Sequence, residues 1–250
     1  MDEQEKIPFT EHLEELRKRL IVYFIAVGMS FVLSYGIKEK LFQILTRPLI
    51  KVMQTGDKLI FTGLPEAFFT YLKVALLSGI ILAAPVIFYE FWMFVAPGLY
   101  DKEKRLMVPV VVLSTIFFVG GAFFGYFIVF PFGFKFFLGF ASEIIRPLPS
   151  MREYLSFASK LLLAFGLVFE LPLIITFLAK LGMVSVSFLK KNRKYALLLF
   201  FIGAAILTPP DVVTQVMMAL PLILLYEISI IGARIFGKKS SEEEDNNDIR

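Results

Sequence analysis

The stretch YLSFASKLLLAFGLVFELPLIITFLAKL, from Tyr154 to Leu181, decides the fold. It exceeds the roughly 20 apolar residues that a helix needs to cross a hydrocarbon core. Yet Glu170 sits inside it, and Pro172 follows two residues later. A carboxylate near a bilayer centre costs about 3 kcal/mol on insertion scales, so this one is expected to face protein or water rather than lipid. Pro172 removes a backbone donor and is expected to kink the helix. An acid on a bent intramembrane helix is a functional candidate by default, with helix–helix hydrogen bonding as the alternative.

The composition extends this reading to the whole chain. Of 250 residues 57% are hydrophobic, and the mean hydropathy is +0.73. Soluble domains average about 45–50% apolar. The apolar residues fall in long runs, so the expected class is an all-α, polytopic membrane helix bundle. The net charge of +4 is not a nucleic-acid signal, because Lys and Arg gather at the ends of apolar runs. There is no cysteine, and His12 is the one histidine. Disulfide and thiolate chemistry are thereby excluded, and neither a histidine metal site nor a Ser-His dyad is expected. No cofactor is implied. The N-terminus opens with mixed charge and lacks a small-residue cleavage site, so the first apolar run is expected to stay as an anchor.

Six spans are expected, at about 20–37, 67–95, 107–134, 154–179, 195–207 and 212–234. Residues 1–20 are expected to form a surface helix capped by Thr10, with Leu13, Leu16 and Leu20 on one stripe. Glu14/Lys18 and Glu15/Arg19 stand at i,i+4 spacing, as paired surface charges do. After the first span a polar loop is expected, with Arg47-Pro48, Gly56-Asp57 and Gly63-Leu64-Pro65 as turn signals. Pro85 lies within the second span, which ends near Trp92, read as an interfacial anchor. Gly121 and Gly125 have the small-xxx-small spacing of a close helix contact.

The last two spans are expected to be short, leaving a kinked, concave bundle. Thirteen residues from Tyr195 to Leu207 precede Thr208-Pro209-Pro210-Asp211, and as helix they reach only about 20 Å. The domain reading is a cytoplasmic helix over 1–20, a membrane domain over 20–236 and a disordered tail over 237–250. With both termini on one side, that side carries 16 Lys and Arg against 8 in the opposite loops. This places both termini in the cytoplasm.

The cytoplasmic loop from Phe94 to Arg105 turns at Pro97-Gly98 and holds Glu103 among Lys102, Lys104 and Arg105. It reads as an ordinary solvated loop or as a carboxylate poised for a cation. Glu15 lies at the same depth. Two such acids could clamp two guanidiniums, since Arg–carboxylate pairing is planar and bidentate. Thr208 and Gln215 are polar groups near the Pro-Pro turn that need partners, inside the bundle or on another protein's helix. Glu227 reads as an interfacial residue near Arg234.

Four stretches together resemble a known family. They are His12 to Leu20, Phe94 to Arg105, Tyr154 to Phe157 with Phe165 to Pro172, and Leu207 to Asp211. In this order and spacing they look like TatC, the largest core subunit of the twin-arginine protein translocase, over residues 8 to 236. The resemblance implies a receptor for signal peptides of folded precursors, which carry adjacent arginines before an apolar stretch. It implies TatA- and TatB-type single-span partners, an oligomeric complex, export driven by the proton-motive force and a place in the inner membrane. From the residues themselves no enzyme is expected, since the sequence shows neither a hydrolytic constellation nor a Gly-rich phosphate loop.

By motif, Glu15 and Glu103 match the acids that bind the arginine pair, with Phe94, Pro97, Leu99, Arg17 and Arg105 beside them. Pro48 matches the outer-loop proline, with Pro85 and Pro172 as further structural prolines, and Glu170 matches the intramembrane acid. Thr208, Gln215 and Asp211 match the region where a partner helix docks. Glu14 departs from the pattern as a second acid before Glu15. Two other classes remain open on the residues alone. One is a secondary transporter of small cations or protons coupled through Glu170; the other is a passive assembly scaffold.

Overall fold

The computed structural model describes residues 9–53, 57–95, 107–141, 147–207 and 212–237. These are helical almost throughout, and their only extended pairing is an isolated parallel bridge between Ile60 and Ser150. In chain order the helices are α1 (Phe9–Gly36), α2 (Lys38–Ile50), α3 (Glu66–Val95), α4 (Met107–Phe124), α5 (Phe130–Leu138), α6 (Met151–Phe169), α7 (Leu171–Lys180), α8 (Val186–Lys191), α9 (Arg193–Leu207) and α10 (Val212–Phe236). A π-helical turn, Gly125–Val129, joins α4 to α5.

Five stretches are long and apolar enough to cross a membrane: Leu13–Gly36, Glu66–Val95, Met107–Leu138, Met151–Lys180 and Val212–Phe236. The expected span boundaries agree with these to within a few residues, except at the N-terminus. There the surface helix and the first span are one continuous helix, α1, with Thr10 inside it rather than at its cap. No Gly or Pro stands between Phe9 and Val27 to break the backbone ladder. Helix α9 has 15 residues, about 22 Å at helical rise, and so is short as expected. The final helix is not short. With 25 residues it reaches about 37 Å.

The loop expected after the first span opens with a helix, α2. Pro48 is buried in its last turn, where few backbone bonds remain to be lost. Leu45, Thr46 and Leu49 are buried with it, which is the i, i+4 stripe of an amphipathic helix. Pro85 lies within α3, which runs through it unbroken.

The chain divides into two compact units, one within Met1–Leu45 and Gly63–Ile116, the other within Thr46–Thr62 and Phe117–Arg250. In the first, α1 and α3 pack side by side. Gly79 makes the close approach possible: a Cβ there would lie 2.9 Å from the Phe31 backbone nitrogen. Val74, Ala75, Ala83 and Ala84, none more than 2% exposed, complete the buried stripe of α3. Small side chains let helix axes approach where lipid supplies no hydrophobic drive.

In the second unit, the end of α4 packs on α6 through glycines. A Cβ on Gly121 would strike the Phe165 carbonyl, and one on Gly166 would lie 2.7 Å from the Phe118 ring. Gly125 sits against Leu162 and Phe165. The small-residue spacing of Gly121 and Gly125 therefore marks a true helix contact. Phe130, Leu155, Leu161 and Phe165 are fully buried here.

Candidate functional site

The pairing of α1 with α3 is antiparallel and stays in register. Moving 12 residues along α1, from Arg19 to Phe31, moves 11 back along α3, from Glu90 to Gly79. At the far end, Lys38 lies 3.9 Å from the Tyr35 ring centre and 5.9 Å from that of Tyr71. This register brings the charged end of α1 beside the C-terminal part of α3.

There Arg19 forks between two carboxylates. Its Nε donates to Glu15 Oε1 at 3.0 Å and its Nη2 donates to the same oxygen. Its Nη1 donates to Glu90 Oε2 at 3.1 Å. The side chains of Arg19, Glu15 and Glu90 are 19%, 26% and 15% exposed. They are thus partly desolvated yet reachable. Hydrogen bonds to charged groups contribute about 1.5–3 kcal/mol each, more than neutral ones.

Glu14 takes no part in this fork. It pairs with Lys18 at 3.0 Å, with both side chains well exposed. One residue of helix turns a side chain by about 100°, which aims Glu14 away from α3. Arg17 is likewise exposed. Phe94 is half-buried one helical turn beyond Glu90. Pro97, Leu99, Glu103 and Arg105 lie outside the described residues.

Trp92 differs from its expected role. It is 3% exposed and its Nε1 donates to Ser114 Oγ at 2.9 Å. The indole is a tie between α3 and α4 rather than an interfacial anchor, because a buried N–H must find an acceptor. It fixes the two helices that lead into and out of the segment holding Glu103.

In the second unit, Glu170 is buried, at 3% exposure, and it separates α6 from α7. Its N–H turns back to the Leu167 carbonyl at 3.1 Å, and its own carbonyl accepts from Ile174 N–H at 2.9 Å. Pro172, also buried, has no N–H to give the Val168 carbonyl. The expected interruption therefore falls at the acid itself.

Gln215 donates from Nε2 to the Phe201 carbonyl at 3.0 Å and so links α10 to α9. Thr208 and Asp211 lie outside the described residues. Glu227 binds Arg193 at 2.7 Å rather than standing alone near Arg234, and the Tyr226 hydroxyl donates to the Leu189 carbonyl at 2.9 Å. These two bonds secure α10 to the basic segment around α8. Among the described residues, no group of three His, Asp or Glu is placed to hold a metal ion.

Glu15 and Glu170 stand out in the sequence as candidates and Arg19 only as half of a surface pair, but Glu90 does not stand out. Its signal was present: a charged residue late in a mostly apolar span needs a partner. Only the register of α1 on α3 names that partner.

Five helices long and apolar enough to cross a membrane, with buried polar and charged groups among them, define a multi-pass membrane protein. Residues 11–221 match the family model described as Sec-independent protein translocase protein (TatC). The chain is 69% identical to the TatC of Desulforapulum autotrophicum, over 99% of this chain and 93% of that protein. It is 39% identical to the TatC of Escherichia coli K12, over 98% and 95% of the two chains. Its fold matches a crystal structure described as the twin-arginine translocase receptor TatC with a TM-score of 0.81 and 41% identity, covering 90% of this chain and 99% of that one. The chain belongs to the TatC family of twin-arginine protein translocase subunits. The family transports proteins and is not one of enzymes.

Proposed function

We propose that this protein is the signal-peptide receptor of a twin-arginine translocase, binding adjacent arginines of folded precursors at the cytoplasmic face of the inner membrane. Both termini then lie in the cytoplasm, with residues 1–20 at its surface and 237–250 as its tail, and residues 20–236 act as one membrane domain. Glu15 and Glu103 are the acids that take the arginine pair. Phe94, Pro97, Leu99, Arg17 and Arg105 form the adjoining surface. Thr208, Gln215 and Asp211 contribute to docking a single-span TatA- or TatB-type partner in an oligomeric complex. Glu170 serves transport driven by the proton-motive force.

One observation carries the reading. The Arg19 guanidinium already rests against Glu15 and Glu90, in a grip that is partly desolvated but open to the surface. A guanidinium is therefore a ligand that this surface accommodates, and a planar fork suits it better than an ammonium. The similarity to a crystal structure described as a translocase receptor supports the same reading.

The test is binding of a fluorescent signal peptide with Arg-Arg, and of its Lys-Lys counterpart, to the detergent-solubilised protein. Arg-Arg should bind better by roughly 1–3 kcal/mol, and Glu15→Gln or Glu103→Gln should erase the preference. Equal binding of the two peptides to the wild type would remove the clamp.

A further inference from the structure

We propose that Arg19 is a built-in competitor for Glu15, and that Glu90 is the positioning residue that makes Arg19 displaceable. The inference rests on the receptor reading and concerns the same surface. The geometry is that of an exchange site. Arg19 directs two N–H groups to one oxygen of Glu15 and a third to Glu90 on the neighbouring helix. One guanidinium thus serves two carboxylates, and the three groups together hold one net negative charge.

Consider an arriving arginine. If Glu90 were absent, Arg19 and Glu15 would be a closed, neutral pair, partly shielded from water. Opening it would leave Arg19 charged and without a carboxylate, which is costly in a partly desolvated site. With Glu90 present, Arg19 lets go of Glu15 and keeps its bond to Glu90. Two guanidiniums then meet two carboxylates and no charge is stranded. The incoming arginine takes the place that Arg19 holds on Glu15 in the resting protein. A lysine ammonium lacks the planar, adjacent pair of N–H groups that Arg19 directs onto the one Glu15 oxygen.

Glu90 thus acts through Arg19 and sets how readily Glu15 becomes available. It lies on the face of α3 turned to α1, the same helix pair whose backbones approach closely at Gly79.

The experiment uses the full chain in detergent and a labelled synthetic peptide carrying Arg-Arg before a Leu-rich segment, with the Lys-Lys peptide beside it. Glu90→Gln should weaken Arg-Arg binding about tenfold, the scale of one charge-assisted hydrogen bond. Glu90→Asp should recover most of it. Arg19→Gln alone should bind at least as tightly as the wild type, because the competitor is gone. The double variant Arg19→Gln with Glu90→Gln should bind better than Glu90→Gln alone, which a merely structural role would not produce. Unchanged binding in Glu90→Gln, lost binding in Arg19→Gln, or no recovery in the double variant each overturns the inference while leaving the receptor reading in place. If instead Glu15→Gln and the Lys-Lys peptide change nothing, the receptor reading fails and the inference falls with it.

Discussion

Glu170 shows what a single residue does in this chain. It ends one helix and begins the next, and it is buried where a solvated acid would be exposed. Replacing it with alanine removes the carboxylate but leaves Pro172 to interrupt the helix. Glu170→Ala is therefore expected to insert and survive detergent extraction like the wild type while export of a twin-arginine precursor falls. Normal export would make the acid a packing element. Trp92 makes a different kind of prediction. Trp92→Phe leaves the buried Ser114 hydroxyl without its indole donor and should cost about 1–3 kcal/mol. Pairing it with Ser114→Ala should recover part of the loss in thermal unfolding, since both polar partners are then gone. The apolar run around Glu170 announced that residue plainly. Glu90 and Trp92 were harder to read, because their partners lie 71 and 22 residues away in sequence and no local pattern marks such pairs.

Among the elements, long apolar runs bounded by charge were legible because lipid imposes length and composition on any helix that crosses it. Helix α2 escaped notice because it is short, carries charge and contains a proline, all of which read as loop. The continuity of α1 escaped for the opposite reason: the change from polar to apolar composition near Leu20 looks like a boundary, but a helix can cross it without a break. The α1–α3 pair offers a direct test of packing. Gly79→Ala would press a methyl group on the Phe31 backbone and should destabilise by roughly 1–3 kcal/mol. Gly28→Ala has no heavy atom within 4 Å and should be neutral or gain up to about 1 kcal/mol in helix propensity. Thermal unfolding of the two variants in detergent separates these outcomes. If Gly79→Ala is as stable as Gly28→Ala, the close approach is not what holds the pair.

For the whole molecule, orientation is the property most exposed to experiment. The charge asymmetry of 16 Lys and Arg against 8 predicts both ends on the cytoplasmic side. Having no cysteine, the chain is suited to labelling from outside. Ser240→Cys should resist a membrane-impermeant maleimide in cells whose inner membrane is exposed but intact, while Lys58→Cys should react. Reaction at both positions, or at Ser240→Cys alone, would reverse the assignment. The class of molecule and the order of its spans were readable from composition, since membrane insertion depends on summed hydropathy and flanking charge. The ion-pair fork was not, because it exists only once two helices have chosen a register.

That register also has a consequence in time. Glu15, Arg19, Gly79 and Glu90 all lie in the first 95 residues of the chain, and chains fold from the N-terminus as they are made. A hairpin of α1 and α3 can pair while the rest of the polypeptide is still on the ribosome. The guanidinium of Arg19 then fills the carboxylate grip from the moment it forms.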